Sequence, residues 1–260
     1  MILGGLPFET LDTVFLTFCR VAGILVTAPI FQSQRVPIVL KVGFSALLAI
    51  LLVPVAGPTP EMAHLLDFGL AAAREIIIGL GFGLVSNLLF VAVSIAGSVT
   101  DLQAGFAFAS FIDPTTEEQT AIISRIQLMV AWMVFLAANG HHVLLRGISD
   151  SFSIVPIGAA ALPEAGPAAP IHMIARTFVA AIQIGAPVMG SVLIADFALG
   201  MLARAVPQAN LLSIGFPMKM LFAFIIVILS LPLLVAAEKG LIPLMDRFLG
   251  QYLGYLVGTR

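Results

Sequence analysis

Four groups of residues have types and spacings that could do chemistry. Asn139-Gly140-His141-His142 offers two imidazoles. Neighbouring residues on a helix or turn point in different directions, so the pair chelates poorly by itself. No cysteine or acid stands at ligand spacing, and Asp150 is distant in sequence. The histidines therefore read as polar residues at a membrane interface, and neither a metal nor a cofactor is expected. Gly79-Leu80-Gly81-Phe82-Gly83 invites a phosphate-loop reading. It lacks a preceding strand, the third glycine and the downstream acid of a dinucleotide site. Gly79 and Gly83 are four apart, which instead makes a small-residue face for close helix packing. Arg20, Asp196 and Arg204 are the ionisable residues set deepest in apolar runs. A charge at the centre of a bilayer costs at least about 2.5–3.5 kcal/mol, so these three must face protein, water or headgroups. Without a dense Asp/Glu/His relay, the pattern favours interhelical pairing or a place near a helix end over an ion pathway. The fourth group is Asp101–Glu118. It sets Phe106, Phe108 and Phe111 among the small residues Gly105, Ala107, Ala109 and Ser110, and closes with the turn at Asp113-Pro114. No Gly-x-Ser-x-Gly elbow and no His-Glu-x-x-His motif occurs, so the chain reads as a non-enzyme.

The elements that must position these residues are helices in an apolar medium. The chain has 260 residues, 60% hydrophobic and 10% charged, with a mean hydropathy of +1.11. A soluble domain carries about 25% charged residues, so part of the solvent here is lipid or partner protein. A net charge of −2 gives no electrostatic case for nucleic acid. The single cysteine, Cys19, excludes an internal disulfide and reads as a small buried hydrophobe. The N-terminus lacks the basic start of a signal peptide and is expected to be retained as the first helix.

Uncharged stretches near the length of a membrane span suggest about six segments. They are Leu11–Ile30 (interrupted by Arg20), Val39–Val55, Ile76–Thr100, Ile122–Leu145, Thr177–Ala195 (interrupted by Pro187) and Met220–Ala237 (interrupted by Pro232). Glu61–Asp67 could begin the third helix early. Pro156–Pro170 reads as a linker, and Ile214-Gly215-Phe216-Pro217 as a break. The tail, Glu238–Arg260, reads as an amphipathic interfacial or partner-binding helix. Lysine and arginine divide too evenly between alternate connectors to set an orientation.

Several fragments in order carry a family resemblance. Arg20-Val-Ala-Gly-Ile-Leu-Val-Thr-Ala-Pro29-Ile-Phe, followed by Arg35-Val-Pro37 and Lys41, resembles the start of the flagellar biosynthesis protein FliR family. Gln103-Ala-Gly105-Phe-Ala-Phe-Ala-Ser-Phe-Ile-Asp113-Pro114 is similar to that family's central loop. Asn139-Gly140-His141, Asp150-Ser-Phe152, Pro156-Ile-Gly158 and Ile214-Gly-Phe-Pro217 follow in the expected order. Homologues of the SctT type in virulence injection machines are similar, and the Gly-Phe-Ala-Phe-Ala-Ser-Phe form resembles the flagellar branch more.

The resemblance implies an all-α inner-membrane subunit of the type III export gate in the flagellar basal body. It implies a FliP-like half at residues 1–155 holding the loop 101–118, the linker at 156–170, and a FliQ-like hairpin with its tail at 171–260. The implied partners are FliP-type and FliQ-type subunits, an FlhB-type subunit, lipid and unfolded export substrates, gathered in a helical channel. In that family many apolar helices are lifted out of conventional spanning positions. The family's loop helps close the channel, which carries a plug role to Gly105, Phe106, Phe108, Phe111, Asp113 and Pro114. Rings on a glycine-softened loop could close a pore by dewetting; alternatively they pad a helix–helix corner. A small-solute transporter and an intramembrane enzyme are the rival functions. The first lacks a clear midplane polar site, and the second lacks candidate chemistry.

Overall fold

The computed structural model describes residues 8–29, 31, 36–57, 59, 64–106, 121–158, 168–205 and 211–257. The described residues form helices and no strands. In chain order the helices are α1 (Phe8–Thr27), α2 (Ile38–Ala56), α3 (Leu65–Ala104), α4 (Ile122–Ala137), α5 (Gly140–Ile154), α6 (Ala168–Ala205) and α7 (Leu211–Val257). Four of them, α2, α3, α6 and α7, are long and apolar enough to cross a membrane, and a fifth span results if α4 and α5 count as one broken span.

Several helices outrun the segments expected for them. Ile214–Pro217 was expected to be a break and Glu238–Arg260 a separate tail, yet α7 runs unbroken from Leu211 to Val257. Pro187 likewise lies inside α6. An internal proline removes one hydrogen bond and costs about 3 kcal/mol. Ending the helix in an apolar medium would strand several backbone groups at once, each costing several kcal/mol. Conversely, the expected segment Ile122–Leu145 is divided. Ala138 N–H donates to Val134 O at 2.8 Å and Asn139 N–H to Leu136 O at 3.2 Å. Asn139 takes a φ of 58°, which closes the end of α4 in the left-handed region.

Hydroxyls inside the helices satisfy themselves locally. Thr17, Ser45, Ser86, Thr100 and Ser191 each donate to the carbonyl four residues back, at 2.7–2.9 Å. A polar side chain on an apolar helix thus needs no outside partner.

The chain divides into two compact units: Met1–Leu88, Gly140–Ile174 and Pro243–Arg260 form one, and Leu89–Asn139 and Ala175–Ile242 the other. Each unit draws on sequence from both sides of residues 156–170. In the first unit α2 packs on α1 and α5, while most of its apolar surface faces outward, with only 11% of its span buried. The buried face of α1 is Thr13, Leu16, Thr17, Arg20 and Ile24, a stripe of helical period. Against it lies the glycine-rich part of α3. A Cβ on Gly79 would run into the Arg20 carbonyl, and one on Gly83 into Thr27 and the Ile24 carbonyl. A Cβ on Gly23, which sequence reading passed over, would sit 2.7 Å from the Ile76 carbonyl. Thr27 Oγ1 donates to Leu80 O at 3.0 Å across the same contact. The tail's apolar stripe, Met245, Phe248, Leu249 and Leu253, is buried within this unit. The Tyr252 hydroxyl donates to Ile78 O at 3.1 Å. That stripe is internal packing, so it is not free for lipid or a partner.

In the second unit α3 and α4 meet closely at Gly97, where an added Cβ would lie 2.8 Å from the Ser124 Cβ. Phe90 stacks on Trp132 at 4.4 Å and meets Phe135 edge-on at 5.4 Å.

Overpacking at such contacts costs about 1–3 kcal/mol. Gly79→Ala and Gly83→Ala are therefore expected to lower the thermal midpoint of the detergent-purified chain. Gly43→Ala, where nothing lies within 4 Å of the new Cβ, is expected to leave it unchanged or raised slightly. Equal midpoints for all three variants would contradict the close α1–α3 crossing.

Candidate functional site

Two buried charges hold helix ends, one in each unit. In the first unit Arg20 is 0% exposed. Its Nε donates to Glu75 Oε2 of α3 at 2.5 Å. Its Nη1 donates to the carbonyls of Ser151 and Val155, both at 2.8 Å. Those carbonyls lie at the C-terminus of α5, where the helix dipole is negative. The Ser151 carbonyl also accepts the Val155 N–H at 3.0 Å, so the guanidinium gives it a second donor and meets the Val155 carbonyl beyond it. Glu75 is also 0% exposed, and its Oε1 accepts the Gly158 N–H at 3.1 Å. The Phe152 ring covers the guanidinium carbon at 4.4 Å. Together Arg20 and Glu75 tie α1 and α3 to the end of α5 and to the turn that follows it.

In the second unit the polarity is reversed. Ala121 precedes α4 and has no side chain that could cap it. Asp101, 4% exposed near the end of α3, does so instead. Its Oδ1 accepts the Ile123 N–H and its Oδ2 the Ser124 N–H, each at 2.9 Å. A carboxylate thus meets the positive end of α4. The Ser124 hydroxyl donates to Ser94 O at 3.3 Å. These bonds join the two ends of the 105–121 segment.

The start of that segment is equally defined. The Gly105 N–H donates to Leu102 O at 3.2 Å, and Gly105 takes a φ of 89°, a conformation that costs glycine little. Phe106 then turns into the core of the second unit, where it is 8% exposed. Its cluster contains Ala104, Ile123, Val188 and Val192 of α6, and Ala223 and Val227 of α7. The Phe224 ring meets it edge-on at 5.5 Å and 82°. The sequence reading made Phe106 one of the plug rings. Its ring lies in the core of the second unit. Phe108, Phe111, Asp113 and Pro114 lie outside the described residues.

The other candidates are placed as follows. Asp196 and Arg204, grouped with Arg20 as charges deep in apolar runs, are exposed on α6, Arg204 in its last turn. The Asp196 side chain is 43% exposed and pairs with Lys219 of α7 at 2.7 Å, so it has an interhelical partner of opposite charge. The His141 and His142 rings lie 4.2 Å apart, and among the described residues no group of three or more possible metal ligands occurs. Cys19 is buried. Sequence reasoning missed Glu75, Asp101 and Glu238 as buried acids. Glu75 borders an apolar run next to Arg74, so it reads as a helix-end charge, and Asp101 follows the longest uncharged run. Glu238 was assigned to the tail, yet it is 3% exposed and neither carboxylate oxygen has a hydrogen-bond partner.

Residues 11–244 match the family described as bacterial export proteins, family 1. The chain belongs to this family. The flagellar biosynthetic protein FliR of Bacillus subtilis (strain 168) is 34% identical over 233 residues, covering 88% of this chain and 90% of that protein. FliR of Escherichia coli (strain K12) is 30% identical over 225 residues, covering 86% of each. FliR of Aquifex aeolicus (strain VF5) is 26% identical, covering 87% of this chain and 88% of that protein. With its four long apolar helices, this FliR-family chain is a multi-pass membrane protein.

Removing one member of a buried ion pair costs about 3–5 kcal/mol, much of it from the partner left uncompensated. Arg20→Met is expected to destabilise the purified FliR-family protein by that order, and Arg20→Met with Glu75→Leu to recover part of the loss. A double variant no more stable than the single one would contradict the pairing. Asp101→Ala leaves two buried N–H groups unpaired, about 1–3 kcal/mol each. It is expected to speed proteolysis between residues 105 and 121; unchanged cleavage would contradict the cap.

Proposed function

We propose that the chain is a non-enzymatic subunit of the flagellar type III protein export gate. In this reading it joins FliP-type, FliQ-type and FlhB-type subunits in a channel for unfolded flagellar proteins, and the segment beginning at Gly105 closes that channel before export. The observation that carries the reading is the match over residues 11–244, together with the flagellar biosynthetic names of the relatives. The FliP-like and FliQ-like character of the two halves, and the plug role of Phe108, Phe111, Asp113 and Pro114, rest on the resemblance described above.

Two structural features support the assembly. The span within α7 is only 17% buried by its own chain and that of α2 11%, so lipid or partner subunits must cover large apolar faces. The 40 residues of α3 and 47 of α7 give lengths of about 60 and 70 Å at about 1.5 Å per residue. The hydrocarbon core is only about 30 Å thick, so these helices are too long to lie wholly within it. Protein neighbours outside the lipid would suit them.

The closing role has a mechanical basis. A plug must be held at its base and still be able to move. Asp101 fixes both ends of the 105–121 segment to one another through Ile123 and Ser124, and Gly105 provides a soft joint. Phenylalanines beyond that joint would exclude water and ions from a narrow pore. An unfolded substrate would displace the segment while the helices beneath stay packed.

Deleting the gene is expected to abolish filament assembly, and the tagged chain to co-purify with FliP- and FliQ-type subunits. Normal motility and secretion in the deletion strain would overturn the proposal. Removing Gly105 to Phe111 is expected to raise ion leak through the assembled gate; unchanged conductance in an intact complex would overturn the plug.

A further inference from the structure

The first unit carries an open cleft between α1 and α2, bordered by Phe68 of α3, with a volume of about 510 Å³. We propose that this cleft holds one acyl chain of a phospholipid with a primary ammonium headgroup, and that Asp12 receives the ammonium. The inference stands on the cleft alone and does not depend on the gate function proposed above.

The lining is apolar except at one point. Phe15, Phe18, Ile50 and Phe68 present hydrocarbon to it, and Phe15 stacks on Phe68 at 5.5 Å. Among the described residues of the lining, Asp12 alone has a polar side chain. It is exposed, and it belongs to neither ion pair found among the described residues. Asp67 precedes Phe68 in the first turn of α3, so the charge bordering the cleft is negative. Lys41, the basic residue of α2, stands near the opposite end of that helix, and Arg74 lies nearly two turns beyond Phe68 along α3. An acidic border of this kind repels an anionic headgroup and attracts a cationic one.

The dimensions suit one leaflet of a bilayer. Asp12 is next to Thr13, whose hydroxyl shares a hydrogen bond with that of Thr59 at 3.3 Å. Thr59 lies past the end of α2 at Ala56, so the acidic end of the cleft sits level with the end of a helix long enough to span. The lining reaches inward along α2 to Ala46. From Ala46 to Ala56 is ten residues, about 15 Å at about 1.5 Å per residue. That is half of the ~30 Å hydrocarbon core. An amphiphile with its head at the surface and its tail end at mid-membrane has this shape. A partner helix suits the space less well. It is about 10–12 Å across with its side chains, whereas α1 and α2 pack directly on each other and bury Ala49 completely. The tail gains little by leaving lipid that is as apolar as the cleft. Selection therefore rests on the headgroup, and an exposed ion pair favours one lipid over another by ~2- to 5-fold.

The test uses the full chain in membranes of phosphatidylethanolamine and phosphatidylglycerol with matched acyl chains. One lipid at a time carries a photoreactive group near the end of its tail. The ethanolamine probe is expected to label Phe18 and Ala46, and to do so ~2- to 5-fold more than the glycerol probe. Asp12→Asn is expected to abolish that preference and Asp12→Lys to reverse it, both without a change in thermal midpoint. Ala46→Phe fills the cleft from within. It is expected to lower labelling there by both probes while labelling at Ile194, 70% exposed on α6, stays as it was. Equal labelling by the two probes in the native chain, or a preference that survives Asp12→Lys, overturns the ammonium assignment. Labelling absent from the cleft, or unchanged there by Ala46→Phe, overturns the seated tail. A photoreactive side chain placed at Ile50 in cells supplies the other arm. An adduct with phospholipid is expected, and an adduct with another protein in its place overturns the lipid.

Discussion

A helix end in an apolar surrounding must find partners for its unpaired backbone groups inside the protein, because water is not there to supply them. This chain meets that constraint at two places with charges borrowed from other helices. Arg20 of α1 meets the carbonyl end of α5, and Asp101 of α3 meets the amide end of α4. Each charge has the sign that the local helix dipole demands. Arg20 is balanced further by Glu75, which caps the Gly158 amide on its other oxygen. The first motif fixes the chain as it leaves α5, and the second fixes it as it enters α4. Between the two helices Asn139 closes α4 with its own positive φ.

The membership of a bacterial export family gives these contacts a purpose. A membrane export component must hold its helices together in an apolar medium. Apolar helices with self-satisfied hydroxyls and closely packed glycines supply the frame. Asp101 joins the end of α3 to the start of α4, and Phe106 packs into the core of the second unit.

The helical, membrane-bound character of the chain was legible because composition alone rules out a soluble fold. The glycine face of Gly79 and Gly83 could be read from spacing, but Gly23, its counterpart on α1, could not, since a lone glycine has no period. Arg20 was visible as an isolated charge in an apolar run, whereas its partner Glu75 was hidden beside Arg74 at the edge of one. Sequence could not tell that Asp196 and Arg204 would face outward, because hydropathy reports the run and not the side of the helix. The prolines of α6 and α7 misled for a related reason: in apolar surroundings an interrupted helix costs more than a proline inside one. Nothing in the sequence signalled that Phe106 would pack against α6 and α7.

The account depends most on Asp101 holding the amide end of α4 closed. Hydrogen–deuterium exchange of the Ile123 and Ser124 amides, measured in the membrane-embedded gate at rest, addresses it directly. The account predicts exchange far slower than that of an open helix end, and marked acceleration at these two amides in Asp101→Ala. Exchange in the native protein as fast as in an unstructured peptide would contradict it.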